Sequence, residues 1–281
     1  MKKWFKAALL IGMAVCMVLC NKKDVLAAED AVVSGTGTET VAAPEFARFA
    51  PRTVVVGSEA EVVQAVHQAV TEQAPSVTVV FDDGMVNIPG IFRALLDEQI
   101  TGYGQGNVAK WNCTYSNNFA TFTFIYHTTV EQELILDAVV QNFRIVTEGM
   151  TDYQKILYVH NEICKIATYD YRTSWGRDNN RSAFDILAEG KAVCSGYSLL
   201  FQRVMEGLGM ECRYVMGYDE EGARHAWNLV CMDGAWYHMD VTYDDPDSGI
   251  MYWYFLVGSN QVAYPVPGYA VSQTGYLEGL N

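Results

Sequence analysis

The chain is short of positive charge. It has 19 Lys and Arg against 33 Asp and Glu in 281 residues, a formal net charge of −14 and a sequence pI near 4.7. Nucleic-acid binding needs clustered basic side chains to neutralise phosphates, so this composition argues against it. No low-complexity tract is long enough for a fibre, and a 50% hydrophobic content excludes a disordered polymer. A glycine-rich loop that could cradle the phosphates of a cofactor is also missing, which counts against an acyl transferase with a cofactor donor. What remains is a globular protein of one large domain or two ordinary ones, with ample material for a core.

Long apolar runs are scarce too. Ala7–Cys20 is apolar for 14 residues, short of the roughly 20 that cross a bilayer as a stable helix. Behind a basic start (Lys2, Lys3, Lys6) and ahead of Val25-Leu26-Ala27-Ala28, it predicts a secretory signal peptide over 1–27. The alternatives are a membrane anchor or a lipoprotein. The latter is disfavoured because Val15 and Leu19, not small residues, precede Cys16 and Cys20. Cleavage removes Lys2, Lys3, Lys6, Lys22, Lys23 and Asp24, leaving 14 basic against 32 acidic side chains. The expected mature protein is secreted or cell-surface, with no stable membrane insertion and a charge that does not favour binding to anionic lipid. Five cysteines remain (113, 164, 194, 212 and 231), and an odd number in an exported protein leaves a thiol over.

Residues 28–52 are rich in Ala, Val, Thr and Gly, show no period, and read as a flexible linker. A small α+β domain is predicted over 53–128. It has strands at 52–56, 77–81 and 119–126, a helix capped by Ser58 with Val62, Val63, Val66 and Val70 on one face, a second helix over 88–100, and a loop at 102–106. No chemistry is visible in it, and packing or substrate presentation is its expected role. The remainder, 129–281, opens with a helix from Thr129 to about Thr147. A second helix follows, capped by Thr151, with a buried stripe of Tyr153, Ile156, Leu157, His160, Ile163 and Cys164. His160 and Cys164 lie four apart, the spacing of two metal ligands on one face. No further Glu or Cys nearby completes a zinc set, so core packing is the expectation.

From Gly190 the sequence becomes specific: Gly190-Lys191-Ala192-Val193-Cys194-Ser195-Gly196-Tyr197, then a helical stripe of Leu200, Phe201, Val204, Met205 and Leu208 stopped by Gly209. Cys194 thus falls at a helix N-terminus, where unpaired N–H groups and the dipole favour a thiolate and could later hold an oxyanion. A buried structural thiol is the other reading. Strands follow at 212–218, 224–232 and 235–242, the last two joined by Asp233-Gly234, a strong hairpin signal that fixes register. Pairing Met232 with Ala235 sets Trp227 opposite Asp240 and His225 opposite Thr242. His225 and Asp240 then become diagonal neighbours, roughly 7 Å apart along the backbone. A thiol, an imidazole and a carboxylate are the parts of an activated cysteine nucleophile. His238, opposite Leu229, is a rival base. Asp244, Asp245 and Asp247 lack the spacing and final Glu of an EF-hand, so a solvated turn is expected there.

Gly190–Tyr197, His225-Ala226-Trp227-Asn228 and Trp236–Pro246 together resemble the three linked motifs of the transglutaminase-like superfamily. Their order is Cys, His, Asp, with separations of 31 and 15 residues. The resemblance covers about 150–258. It implies an α+β, papain-like transglutaminase core in which a nucleophile helix packs on an antiparallel sheet. Cys194 would be the nucleophile, His225 the general base and acid, and Asp240 the orienting group. The family attacks a carboxamide to form a thioester, which an amine or water then resolves; the implied partner is a protein or peptide substrate, with no metal and no cofactor. Ser195 stands where animal transglutaminases have Trp, their β-sandwich domains and calcium sites are not found, and no residue corresponds to their aromatic oxyanion donor. The chain looks closer to exported bacterial members, many of them expected to be proteases or amidases. The alternative function is a non-catalytic cell-surface binding module that keeps the fold. A Cys212–Cys231 disulfide is expected if the strands carrying them pair across 219–223.

Overall fold

The structure, a computed structural model, describes residues 47–81, 90–91, 100–172, 180–262 and 269–276. The expected signal peptide, most of the expected linker and most of the helix expected over 88–100 lie outside the described residues. The chain divides into two compact units: the described part of Val18–Glu98 with Gly104–Val130, and Gln99–Tyr103 with Glu131–Asn281.

In the first unit, β1 (Arg52–Val56), β2 (Ser76–Phe81), β4 (Val108–Tyr115) and β5 (Phe119–Tyr126) form one sheet in the order β1-β2-β5-β4. Only β1 and β2 are parallel, as the intervening helix α1 (Glu59–Thr71) requires. Ser58 caps α1 by accepting from the Glu61 N–H at 3.3 Å. Its buried face is Val62, Val66, Ala69 and Val70, with Val63 only half-buried. That face packs with Val77, Val79, Ala120, Phe122 and Phe124, the period-2 inward set of β2 and β5. Strand β4 carries a weaker alternation and has no counterpart in the sequence reading.

The second unit holds α2 (Val130–Val146), α3 (Asp152–Ile166), α4 (Ala183–Glu189), α5 (Cys194–Gly207) and a sheet in the order β3-β6-β7-β8. Its strands are β3 (Ile100–Thr101), β6 (Cys212–Tyr218), β7 (Arg224–Met232) and β8 (Ala235–Met239), all antiparallel. Tyr103–Gly106, expected as loop, is a helical turn. Helix α3 starts with a capping box in which Thr151 and Gln154 satisfy each other's N–H groups. Val159 and Ile166 belong to its buried stripe, whereas Leu157 is half-buried. Helix α5 packs on β6 and β7, and Leu199, Leu200, Phe201, Val204 and Met205 are all buried. The molecule is therefore α+β, with a helix that begins at Cys194 lying on an antiparallel sheet.

Two expectations are corrected. Cys212 pairs with Val230, while the Cys231 N–H donates to the Glu211 carbonyl. The one-residue offset points the two thiols to opposite faces; both are free, Cys212 fully buried and Cys231 half-buried. The hairpin register is as expected, but β8 ends at Met239 rather than Thr242. From Asp240 the chain coils into a turn closed by Asp244 N–H donating to Asp240 O at 3.2 Å.

Candidate active site

Two short segments, 168–170 and Asn180, hold the start of α5. Val193 N–H donates to Asn180 O at 2.9 Å, Asp170 N–H to Ala192 O at 2.9 Å, and Ala192 N–H to Thr168 O at 3.3 Å. Asp170 is itself fixed by Arg172 and Asn180; the Arg172 hydrogen bond above all holds its carboxyl down at about 2. The backbone at 180–182 presses close on the first turn of α5. A Cβ at Gly196 would lie 2.5 Å from Ala192 Cβ and 2.9 Å from Ser182 O, so no other residue fits. Val193 is the N-cap and makes no side-chain cap bond. Among the described residues the Cys194 and Ser195 N–H groups have no backbone acceptor, as the geometry of a helix start dictates.

His225, on the first turn-proximal residues of β7, is 7% exposed and lies against this end of α5. Its Nε2 is 2.6 Å from Asp240 Oδ2, and the Cys194 thiol is near enough to its ring to act on the charge of the imidazole. With Nε2 taken by the carboxylate, Nδ1 is the nitrogen left for sulfur. Burial alone would lower the His225 pKa, but the Asp240 carboxylate and the Cys194 thiol together push it up to about 10. The end of β8 explains how Asp240 serves this ring. Its Oδ1 accepts the Thr242 and Tyr243 N–H groups, each at 3.1 Å, so the turn that replaces the expected last strand residues aims Oδ2 at the imidazole. Cys194, His225 and Asp240 are thus brought together, through a turn rather than through the diagonal of a continuous strand.

His238 does not join them. Its Nδ1 accepts from Trp227 Nε1 at 3.1 Å, and burial depresses its pKa to about 4, leaving a neutral ring inside the sheet's apolar layer.

Several residues that the sequence reading left aside shape this site. Tyr243 lies flat on His225, with ring centroids 4.4 Å apart and planes at 12°. Its hydroxyl donates to Asp219 Oδ2 at 2.8 Å. The acidic stretch expected as a solvated turn is in large part internal. Asp244 is wholly buried, 3.2 Å from His160 Nε2, and accepts the Tyr254 N–H at 3.0 Å. Asp245 accepts from the Tyr197 hydroxyl at 2.8 Å, and only Asp247 is fully exposed. His160 is thus a partner to a carboxylate in the core, with Cys164 Sγ 3.9 Å away. Among the described residues no group of three His, Cys, Asp or Glu side chains is arranged to hold a metal ion. Tyr243, Asp244 and Asp245 all follow Asp240 within five residues, and that adjacency was the one signal in the sequence for their roles.

Residues 141–241 match the transglutaminase-like superfamily. Human kyphoscoliosis peptidase is 32% identical over 133 residues, 42% of this chain and 20% of that protein. Its mouse counterpart is 31% identical over 113 residues, 35% of this chain and 17% of that protein. This chain therefore spans about a fifth of the length of those relatives. A crystal structure of a TGase shares 16% identity, covering 59% of this chain and 50% of that one with a TM-score of 0.37. Over residues 141–241, then, this chain is similar to the transglutaminase-like superfamily.

Proposed function

We propose that the protein is an exported cysteine acyl-transfer enzyme that acts on protein or peptide amides through a thioester. The observation that carries this reading is a single imidazole held by Asp240 at 2.6 Å, with the thiol of Cys194, the first residue of α5, acting on its charge. In this reading Cys194 Sγ attacks the carboxamide carbon as a thiolate, with its proton held on His225. The Cys194 and Ser195 N–H groups at the start of α5 receive the developing oxyanion. The imidazolium then protonates the departing nitrogen, and the C–N bond breaks to leave an acyl thioester on Cys194. His225 next takes a proton from water or an amine, whose attack expels the thiolate and restores the start. Asp240 keeps the ring oriented and balances its charge throughout.

Hydrolysis is the favoured outcome, because the matched relatives are named as peptidases; transamidation needs only an amine in place of water. Export rests on the basic start, the 14-residue apolar run and the small residues near Ala27. Among the described residues no helix is long and apolar enough to cross a membrane.

Iodoacetamide labelling of Cys194, read by peptide mass spectrometry across pH, tests the reading. The wild-type thiol should label rapidly at pH 6, well below the ordinary thiol range near about 8.5. In His225→Ala that advantage should fall by about a hundredfold. Labelling that follows an ordinary thiol in both proteins, with no cleavage of peptides and no amine incorporation, would make the chain a binding module.

A further inference from the structure

We propose that Tyr243, anchored through its hydroxyl to Asp219, is a positioning residue that fixes the plane of the His225 ring so that Nδ1 faces Cys194. The inference rests on the reading of Cys194, His225 and Asp240 as the reacting groups.

One hydrogen bond does not fix an imidazole. The contact from Nε2 to Asp240 Oδ2 holds a single ring atom, and rotation about the ring's attachment still swings Nδ1. A second constraint across the ring face removes that freedom, and Tyr243 supplies it. Its plane lies within 12° of the imidazole at 4.4 Å between centroids. Trp227 adds a more distant parallel ring, 6.0 Å away at 17°.

Tyr243 is held at both ends. Its N–H donates to Asp240 Oδ1 at 3.1 Å, so the in-plane and face-on supports of His225 lie three residues apart on one turn. Its hydroxyl donates to Asp219 Oδ2, and Asp219 is braced by the β6–β7 loop. Oδ1 of Asp219 accepts the Glu221 N–H at 3.1 Å and the Ala223 N–H at 2.7 Å. Burial opposes the charge on Asp219, yet the Tyr243 hydroxyl, these amides and nearby His225 hold its carboxyl below the usual range. Burial and Asp219 push the Tyr243 phenol upward, so it stays a neutral donor. An electron-rich ring face against an imidazolium is also a cation–π contact. The titratable groups facing His225 are then Cys194 from α5, Asp240 and Tyr243 from the turn, and Asp219 from the loop.

The test compares wild type with Tyr243→Leu, Tyr243→Phe and Asp219→Ala in two assays. One is Cys194 labelling by iodoacetamide at pH 6; the other is a 15N NMR titration of the His225 ring. Tyr243→Leu should lose about tenfold in labelling rate and lower the His225 midpoint by about one unit. Tyr243→Phe keeps the face and loses the anchor, so about threefold is expected, and Asp219→Ala should match it. Wild-type rates in all three variants would overturn the proposal. So would a Phe variant as impaired as Leu, since the ring face would then not be what holds the imidazole. If Tyr243→Leu does not fold, the Phe and Asp219→Ala variants decide by the same criteria. Slow labelling already present in wild type would instead defeat the functional reading, while the NMR midpoints would still report on the clamp.

Discussion

The two units bury different chemistry. Among the described residues, the first buries no carboxylate, His, Lys or Arg; its buried polar side chains are Gln73, Asn107 and Thr128. The second buries Glu133, His160, Asp170, His225, His238, Asp240 and Asp244. A sheet-and-helix core is stable on apolar burial alone, and the first unit is built that way. A charge buried in the second costs desolvation and persists where it is paired, while His238 stays neutral. His160 has Asp244, Asp170 has Arg172, and His225 has Asp240. The difference teaches where to look for function: the region that departs from the cheapest core is the one that sets Cys194 beside a buried imidazole and carboxylate.

Three experiments sharpen that contrast. The largest effect should come from the first unit's core. Phe122→Ala removes a fully buried ring packed between β5 and α1 and should cost about 3–5 kcal/mol, with little change between pH 4 and 8. Denaturant unfolding at several pH values checks it, and a loss that varies strongly with pH would contradict a purely apolar core.

In the second unit the expected effect depends on pH. The His238 pKa is depressed to about 4 by burial, against about 6.5 in an unfolded chain. The unfolded state therefore takes up a proton first as pH falls. The stability associated with neutral His238 is present above about 6.5 and is lost progressively as pH drops towards 4. His238→Gln keeps an acceptor for Trp227 Nε1 and removes the titration, so its acid slope should be shallower by on the order of 3 kcal/mol across that window. An unchanged slope would show that the ring is charged or solvated in the folded protein. His225 has the opposite sign. Raised to about 10, its contribution is full below about 6.5 and disappears as pH rises through about 10.

The smallest effect should erase the contrast. Ser58 and Thr151 cap helices in the first and second unit respectively. Alanine at either position should cost about 1 kcal/mol, measurable as matched shifts in the unfolding midpoint. A cap worth several times more in one unit would mean that it does more there than satisfy an N–H group.

Local rules made much of this molecule legible beforehand. Ser58, Thr151 and the apolar faces of α1 and α5 obey near-neighbour stereochemistry. Asp233 and Gly234 adopt φ of 51° and 79°, the positive values that a tight hairpin needs, and the β7–β8 register followed from that turn. The family motifs named Cys194, His225 and Asp240. Strand β4 was missed because its burial alternates only weakly. The extension of β8 to Thr242 was wrong because Asp240 spends one carboxylate oxygen on the Thr242 and Tyr243 amides, ending the ladder in a turn. The Cys212–Cys231 bridge failed on a one-residue register offset.

Chain-local physics, then, determined the helix starts, the hairpin and the position of a cysteine at a helix N-terminus, because each depends on residues a few positions apart. Tertiary structure alone decided that Asp244 is buried against His160, that Tyr197 reaches Asp245, and that Tyr243 lies on His225 with its hydroxyl on Asp219. Those partners are separated by 18 to 84 residues. Whether an acidic side chain ends in water or in a buried pair is set by what the folded chain brings against it, and no local pattern encodes that.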